Sequence, residues 1–506
     1  MTKLLPVPRR FRFWAIRESR RIAWTLFLLV CLVICIDSFG FVKFYFERDF
    51  ETEFNYPLNV PNFPELVKSF GKGEQVNIHP INQNYSRIKF LDNENAKCVE
   101  EDPIGLLILV KSAPNYFDKR AVIRATWGHP SYLQNISRSI SHTSPLISCL
   151  QQGAGRNKRS FDPLIKPVFQ IKLVFLIGQQ NHESTSARNV LPTMTTTTTP
   201  LPSDILLAQL DNSIESQLLK NNRKDKAPSQ TIAALLQHSQ AKKRLTKDES
   251  NFNKIYNFRE SSVDDEILKH NDIVRAEFID SYINNTFKTM MGIRFAVEKC
   301  SNFQFVFLVD DDMHINIKNL VRYLEYPREY PFVNNNVNFN SNEEGVHKKT
   351  HCNTLAANNL YAGKLLTTTR PVRYKLVSKW YLSLEEWKYN LFPPYLPAAA
   401  ILMSKSVVQD FYFASFYTEH FRFDDVYLGL LAYKMNITPT NSNYFYVCHS
   451  PNGRCPDSNA DSGHTVLTAN SYEDPMKYVI ARHGLNSVEE LYSFWQEQKT
   501  NGNLDL

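Results

Sequence analysis

The sequence predicts an α/β domain behind an N-terminal transmembrane helix, and three observations support this prediction. Short apolar runs at 104–110, 173–177 and 305–309 are rich in branched or aromatic residues and lack a helical period, so each predicts a buried strand. The stretch 118–127 follows the first run and predicts a helix, and strands that alternate with helices are typical of α/β domains. Residues 22–42 form an apolar stretch that is long enough to cross a bilayer.

The N-terminal charges predict how the apolar stretch is oriented. Residues 1–21 contain seven Lys or Arg and one Glu, so they account for six of the chain's seven net positive charges. The positive-inside rule makes 1–21 a cytosolic basic tail and 22–42 a signal-anchor, with everything after it across the membrane. A cleaved signal peptide is the alternative, although the stretch is long for one. The nearly neutral remainder argues against a nucleic-acid-binding protein.

Further features are typical of the secretory route. Triplets that can accept N-linked glycans begin at Asn84, Asn135, Asn284 and Asn436. Six cysteines follow the predicted anchor, and in an oxidising lumen they allow three disulfide bonds whose pairing the sequence leaves open. These cysteines are Cys98, Cys149, Cys300, Cys352, Cys448 and Cys455.

The chain after the anchor divides by composition. Residues 43–98 are polar and rich in Asn, and they predict a lumenal stem. Residues 99–498 contain the predicted strands and helices of the folded domain. Residues 179–258 interrupt this domain with a threonine run followed by many Lys, Gln, Ser and Asn residues. Such a composition buries too little apolar area to offset the entropy of ordering, so we interpret the stretch as a low-complexity surface insertion.

An acidic triplet follows the predicted strand 305–309. It consists of Asp310, Asp311 and Asp312. Three carboxylates at the end of a strand repel one another unless a positive group neutralises them, and a divalent cation that carries phosphate oxygens is the usual partner. A solvated acidic turn is the alternative for an isolated triplet.

Several blocks, in order along the chain, resemble the β-1,3-galactosyltransferase family (glycosyltransferase family 31). Residues 118–128 are similar to its Arg-x-x-Ile-Arg-x-Thr-Trp block, and the acidic triplet stands where the family has its Asp-x-Asp metal motif. The resemblance extends from about residue 104 to residue 495, outside the insertion. The further blocks are 175–178, 272–289, 394–397, 424–429 and 483–495.

The resemblance implies a Rossmann-like, nucleotide-binding glycosyltransferase fold called GT-A. It also implies a Golgi type II membrane enzyme that transfers a hexose from a UDP-sugar, with inversion, to a hydroxyl of a glycoprotein or glycolipid acceptor, forming a β-1,3 linkage. UDP-galactose is the favoured donor, and UDP-N-acetylglucosamine is the second. By the same resemblance, Asp310 and Asp311 lie at the nucleotide, while Asp312 and His483 hold Mn²⁺ or another divalent cation. Mn²⁺ suits a shell of carboxylate, imidazole and phosphate; the alternative for His483 is a structural histidine.

Inversion in a single displacement requires a general base that accepts the proton of the attacking hydroxyl. The resemblance favours Asp425 as this base, with Asp424 as the alternative. Both acids would also suit the N-terminus of a helix, because they complement the helix dipole.

Three cations are candidates for binding the nucleotide. Arg120 and Arg124 lie four residues apart, on one face of the predicted helix, where two guanidinium groups could grip uracil or diphosphate. Lys288 is the third candidate. A solvated basic face is the alternative for the arginines, and Trp127 is expected in the core.

One departure from the family pattern bears on function. Ala398, Ala399 and Ala400 stand where many relatives carry a Gly, and an added methyl group could alter a site that needs close backbone approach. This change keeps open a catalytically silent lumenal relative that acts as a chaperone or glycan-binding module. A metal-dependent phosphoesterase would require further His and Asp with two-metal spacing, which is not evident in the sequence.

Overall fold

The computed structural model describes much of the chain in two compact units. The first unit comprises Met1–Val60 and Leu366–Tyr395, and the second comprises Pro61–Leu365 and Leu396–Leu506. Almost all of the predicted insertion 179–258 and four of the predicted lumenal cysteines lie outside the described residues. Those described are 9–38, 44–55, 60, 62–91, 98, 104–140, 144, 146–147, 168–180, 262–300, 302–327, 330–331, 359–374, 378–446, 476–485 and 487–504.

The first unit contains helix α1 (Arg9–Ser38) and the short helix α2 (Phe50–Glu53). The side chains described in α1 are those of 20–34, and nearly all of them are exposed. Among the described residues, no helix combines the length and the apolarity that crossing a membrane requires. The transmembrane helix predicted at 22–42 is therefore not supported by the structure, and 39–42 lie outside the described part.

Seven strands form the central sheet of the second unit. Their order is β3-β2-β1-β4-β7-β6-β8. The first four run parallel, whereas β7 is antiparallel to β4. The strands are β1 (Ile104–Lys111), β2 (Gln170–Gln179), β3 (Ile273–Ile279), β4 (Phe303–Asp310), β6 (Tyr361–Gly363), β7 (Ala400–Ser404) and β8 (Thr440–Asn441).

The helices of the second unit cover this sheet. Every residue of β1 is buried, because a parallel strand in the middle of a sheet is covered on both faces. The three predicted strands and the predicted helix at 118–127 are thus present. The helices are α3 (Phe63–Gly71), α4 (Asn84–Arg87), α5 (Phe117–Ala125), α6 (Pro130–Ser139), α7 (Val263–His270), α8 (Asn285–Lys299), α9 (Ile317–Glu325), α10 (Lys405–Ser415), α11 (Asp424–Lys434) and α12 (Val488–Thr500).

The order of the parallel strands creates a crevice between β1 and β4. The chain adds β2 and β3 on one side of β1 and then places β4 on the other side. In open α/β sheets, ligands bind at such a reversal, outside the carboxyl ends of the strands. The register pairs Lys111 with Asp310, so the two last residues of β1 and β4 lie side by side at this point.

A second, three-stranded sheet brings the C-terminal segment to the same place. It consists of β5 (His314–Ile315), β10 (Ala481–Arg482) and β9 (Phe445–Tyr446). Arg482 pairs with His314 in antiparallel register, so the residue after Arg482 runs back toward the acidic triplet. A capping box between Ser487 and Glu490 then starts α12, which packs against α5 and β5.

Part of the predicted stem 43–98 belongs to the folded second unit. Helix α3 packs against α10, with Val67 fully buried and the ring of Phe70 against the ring of Tyr417. Its apolar residues recur at helical spacing, which the overall polarity of the stretch obscured in the sequence. A disulfide between Cys98 and Cys300 attaches the end of this region to the end of α8.

Candidate active site

The acidic triplet and the acid pair at 424–425 meet at the carboxyl ends of β1 and β4. Nζ of Lys111 lies 3.0 Å from Oδ1 of Asp310 and 2.7 Å from Oδ2 of Asp424, the first residue of α11. Thr289 of α8 donates a second hydrogen bond to Oδ2 of Asp424. One buried lysine therefore joins the end of β4 to the start of α11.

The close charges move the pKa values of this group in different directions. Burial lowers the pKa of Lys111, but Asp310 and Asp424 raise it more, so the lysine stays protonated. Burial raises the pKa of Asp424, but the charge and hydrogen bond of Lys111 bring it below its usual range. Burial, opposed by Lys111 and reinforced by Asp312 and Asp424, raises the pKa of Asp310 to about 6. Solvent moderates this rise, because 34% of the Asp310 side chain is exposed.

Asp425 has a different environment from its neighbour. It is the second residue of α11 and is partly buried, and its Oδ1 accepts a hydrogen bond from the backbone N–H of Val426 at 2.7 Å. Burial and the charge of Asp424 raise the pKa of Asp425 to about 7, against smaller opposing effects of Val426 and Lys111. Asp425 can therefore take up and release a proton near neutral pH, whereas Asp424 is held ionised.

Asp312 and His483, the predicted metal ligands, lie together. Nε2 of His483 is 3.4 Å from Oδ2 of Asp312, and the pairing of β5 with β10 brings the two residues close together. Burial alone would raise the pKa of Asp312 and lower that of His483. Their mutual hydrogen bond and opposite charges outweigh burial, so the pKa of Asp312 lies below its usual value and that of His483 lies above it.

This pair fits a hard divalent cation of the Mn²⁺ type. Oδ1 of Asp312 is buried and accepts no hydrogen bond from the described residues, which leaves a carboxylate oxygen for a cation. Within the described ranges, no group of three or more His, Cys, Asp or Glu side chains is arranged to hold a metal. One or two protein ligands are sufficient where phosphate oxygens and water complete the shell.

Asp311 points into the protein rather than toward its neighbours in the triplet. Its side chain is buried and accepts hydrogen bonds from Ser112 Oγ at 2.7 Å and from Lys119 Nζ at 3.0 Å. Burial raises the pKa of Asp311, and Lys119 and Ser112 oppose this rise. These contacts fix the turn after β4; binding of a nucleotide by Asp311 stays a prediction.

Arg120 and Arg124 lie on the face of α5 that carries the ion pairs with Glu266 of α7 and with Asp272, the residue before β3. Arg120 is fully buried and donates to Glu266, to Ser112 and to the carbonyls of Ala113 and Pro114. These contacts orient its guanidinium toward the protein. A role for Arg120 in gripping a nucleotide stays a prediction.

Arg124 makes a two-pronged ion pair with Asp272, at 2.7 Å for each hydrogen bond, and a third contact with Glu266. Its partners are carboxylates of the residues just before β3 and within α7. The face shared by Arg120 and Arg124 is thus an internal ion-pair cluster in the structure, and nucleotide binding by Arg124 likewise stays a prediction.

Lys288 is a buried connection at the start of α8. Its Nζ donates to the carbonyl of Ser112 at 2.6 Å and to Oδ1 of Asp280 at 2.7 Å. Asp280 also accepts a hydrogen bond from the backbone N–H of Gly178. Lys288 therefore joins the ends of β1, β2 and β3 next to the crevice, and its contact with a nucleotide stays a prediction.

Sequence reasoning missed Lys111, Lys119 and Glu266. Lys111 had a readable signal, because it is a charged residue at the carboxyl end of a buried strand, on the edge where the acidic triplet is also expected. Glu266 had no such signal, since it follows the insertion and carries its charge in an ordinary amphipathic helix. Trp127 is buried in the core as expected, and its indole donates to the carbonyl of Met313.

Comparison with known proteins shows what this part of the chain is similar to. Residues 256–443 match the family model described as Galactosyltransferase. The matched segment is therefore similar to the galactosyltransferase family. It contains the acidic triplet, Lys288 and the acid pair, whereas Lys111 and His483 lie outside it.

Curated relatives with related names cover about the same part of the chain. It is 34% identical over 232 residues to the Drosophila melanogaster protein "Beta-1,3-galactosyltransferase brn", a match that covers 46% of this chain and 58% of the relative. It is 28% identical over 245 residues to the Homo sapiens "UDP-GalNAc:beta-1,3-N-acetylgalactosaminyltransferase 1", covering 46% and 57% respectively. It is 31% identical over 189 residues to the Caenorhabditis elegans "Beta-1,3-galactosyltransferase bre-5", covering 37% and 50%. The chain thus spans between 50% and 58% of the length of these relatives.

Proposed function

We propose that this chain is an inverting glycosyltransferase that transfers a hexose from a UDP-sugar to a glycan hydroxyl in β-1,3 linkage. The observation that carries the proposal is that the site contains two different groups of acids, one suited to a cation and one suited to accepting a proton. An acid–imidazole pair suited to a cation lies close in the chain to Asp310, which contacts Lys111. Lys111 also contacts Asp424, whose neighbour Asp425 has a pKa raised to about 7. The match of residues 256–443 to the Galactosyltransferase family model and the relatives' names support the same reaction class.

In this proposal, one set of residues binds the donor UDP-sugar and another acts on the acceptor hydroxyl. Asp312 and His483 would hold a divalent cation such as Mn²⁺, which supplies electrostatic stabilisation for the departing diphosphate. Asp310, Asp311, Arg120, Arg124 and Lys288 would line or support the nucleotide site. Asp425 accepts the proton of the attacking hydroxyl, because a base is most effective when its pKa lies near the working pH.

The proposed donor sugar rests on the sugars that the relatives' names specify, and not on a contact in the site. We propose galactose first, with N-acetylgalactosamine tested beside it because a relative's name specifies that sugar. N-acetylglucosamine is the further donor that the sequence predicts. Ala399 accepts a backbone hydrogen bond from Asp310 at 3.1 Å, so the alanine run lies next to the donor side and is a candidate for tuning this choice.

A transfer assay tests the proposal. The full chain, produced in a eukaryotic secretory system, is incubated with Mn²⁺, each of the three UDP-sugars and a panel of glycan acceptors, and the product linkage is read by NMR. We expect transfer from at least one donor, with a β-1,3 linkage in the product. Nucleotide binding without transfer or UDP release from any donor would contradict the enzyme and favour the silent glycan-binding relative.

We also propose that the domain works in the lumen of the Golgi, as a single-pass type II protein. The anchor and its orientation rest on the sequence alone. The disulfide between Cys98 and Cys300 supports an oxidising compartment, since disulfides persist there and are rare in the cytosol. A C-terminal tag should be protected from protease in sealed Golgi vesicles; digestion of the tag without detergent would reject this location.

A further inference from the structure

Lys111 connects the two sides of the reaction just described. Its Nζ contacts Asp310 on the donor side and Asp424 at the start of the helix that carries Asp425. The side chain is only 4% exposed, so it has no access to bulk water that could replace these contacts. A buried ammonium group is costly unless ionic partners compensate it, and here two carboxylates do so.

The hydrogen bonds fix Asp424 more firmly than Asp425. Oδ2 of Asp424 accepts from both Lys111 and Thr289, each at 2.7 Å, which come from β1 and α8. Asp425 follows directly in the first turn of α11 and bonds to its own neighbour Val426. The position of Asp425 is therefore set through Asp424, and the position of Asp424 is set by Lys111 and Thr289.

We propose that Lys111 is a positioning residue that holds the donor-side carboxylate of Asp310 and the first turn of α11 at a fixed separation, so that Asp425 faces the sugar donor across the crevice. This inference rests on the proposed function. Lys111 acts through Asp310 and Asp424 and does not itself touch substrate.

The charges around Asp425 make the role measurable. Asp424 faces it from the same helix, Lys111 from β1 and Tyr361 from β6. Removal of Lys111 takes away the nearby positive charge and leaves Asp310 and Asp424 uncompensated. The pKa of Asp425 should then rise further, by about one unit, as is usual when a close opposite charge is lost.

The test compares Lys111→Met and Lys111→Arg with a control that removes buried atoms elsewhere in the second unit. Val67→Ala removes buried apolar volume in α3, outside the crevice, and serves as this control. For Lys111→Met we expect kcat to fall by roughly 100-fold with a much smaller change in the KM for the UDP-sugar, since misplacement of a reacting group by about 1 Å has an effect of that size. The acidic limb of its pH–rate profile should move upward by about one pH unit. Lys111→Arg should restore part of kcat, while Val67→Ala should keep the wild-type profile.

A second measurement does not require activity. The difference in Tm between Asp425→Asn and its parent is measured against pH, in the wild-type and in the Lys111→Met background. We expect the pH at which this difference stops growing to be higher when Lys111 is absent, because that pH follows the folded-state pKa of Asp425. An unchanged pH–rate limb together with an unchanged levelling-off pH would overturn the positioning role. Absence of transfer by the wild-type chain would reject only the proposed function, because the Tm comparison still decides the role of Lys111.

Discussion

The two adjacent acids at the start of α11, Asp424 and Asp425, have pKa values that are shifted in opposite directions. Asp424 is tied to Lys111 and Thr289, and its pKa lies below the usual range. Among the described residues, no cationic side chain donates a hydrogen bond to Asp425, and burial together with the charge of Asp424 raises its pKa to about 7. The hydrogen bonds from Lys111 and Thr289 to Asp424 thus separate a structural acid from a candidate base.

Replacement of Asp425 by Asn should abolish most transfer. The variant keeps the shape of the side chain but cannot accept a proton, so kcat should fall by about 10²–10⁴-fold, the usual contribution of a general base. Initial rates measured at saturating UDP-sugar test this. Full activity of Asp425→Asn would remove Asp425 from the role of base and leave Asp424 as the candidate.

The same substitution should also change stability with pH. The folded-state pKa of Asp425 is raised from its ordinary value of 3.8 to about 7. Between about pH 4 and pH 7 the unfolded chain ionises this group more readily than the folded chain does, so the folded state loses stability as the pH rises through this range. Asp425→Asn should therefore melt higher than wild type at pH 8 and alike at pH 4. Asp424→Asn is the matched control and should melt lower at pH 8, since it leaves Lys111 with one partner fewer.

Removal of Asp312 or His483 should weaken divalent-ion binding. Asp312→Asn replaces the buried carboxylate oxygen that lacks a hydrogen-bond partner among the described residues. Calorimetric titration of Mn²⁺ in the presence of UDP should show at least about tenfold weaker binding for Asp312→Asn and for His483→Ala. Asp264→Asn, on the exposed start of α7, is the control and should bind like wild type. Unaltered Mn²⁺ affinity in both variants would place the cation elsewhere.

At the scale of elements, one buried carboxylate connects α5 to α7. Glu266 is fully buried and contacts both Arg120 and Arg124. Glu266→Gln would leave the buried guanidinium of Arg120 and the half-buried one of Arg124 without their shared anion, so the free energy of unfolding should fall by about 3–5 kcal/mol. Urea unfolding measures this change. Glu74→Gln breaks the exposed ion pair with Lys72 and should leave the free energy of unfolding almost unchanged. An equal loss of stability in both variants would show that the buried cluster contributes no more than an exposed pair.

Much of the parallel sheet was predictable from the sequence, and the antiparallel part was not. Strand β4 has a long run of branched and aromatic residues that ends at the acidic triplet, so its pattern is local. Strands β6 and β10 have three and two residues and depend on partners far away in the chain. Spacing likewise placed Arg120 and Arg124 on one face, but their partners Glu266 and Asp272 come from beyond the insertion, which no local pattern reveals.

At the scale of the whole molecule, the disulfide closes a long loop. Cys98 and Cys300 are separated by 202 residues, and a cross-link of this length restricts the unfolded chain strongly. Cys98→Ser should lower the free energy of unfolding by about 2–5 kcal/mol, measured by denaturant unfolding of the oxidised protein. Cys31→Ser changes a free cysteine in α1 and is the control. A stability equal to wild type for Cys98→Ser would show that the bond does not form in the mature protein.

The antiparallel pairing of Arg482 with His314 has a consequence for biosynthesis. During synthesis Asp312 leaves the ribosome long before His483, so a chain that stops between them carries the carboxylate of the proposed cation site without its imidazole. The two groups can meet only after synthesis has passed His483 and β10 has paired with β5. If both residues hold the cation, chains cut short between them should bind it more weakly than chains that contain both.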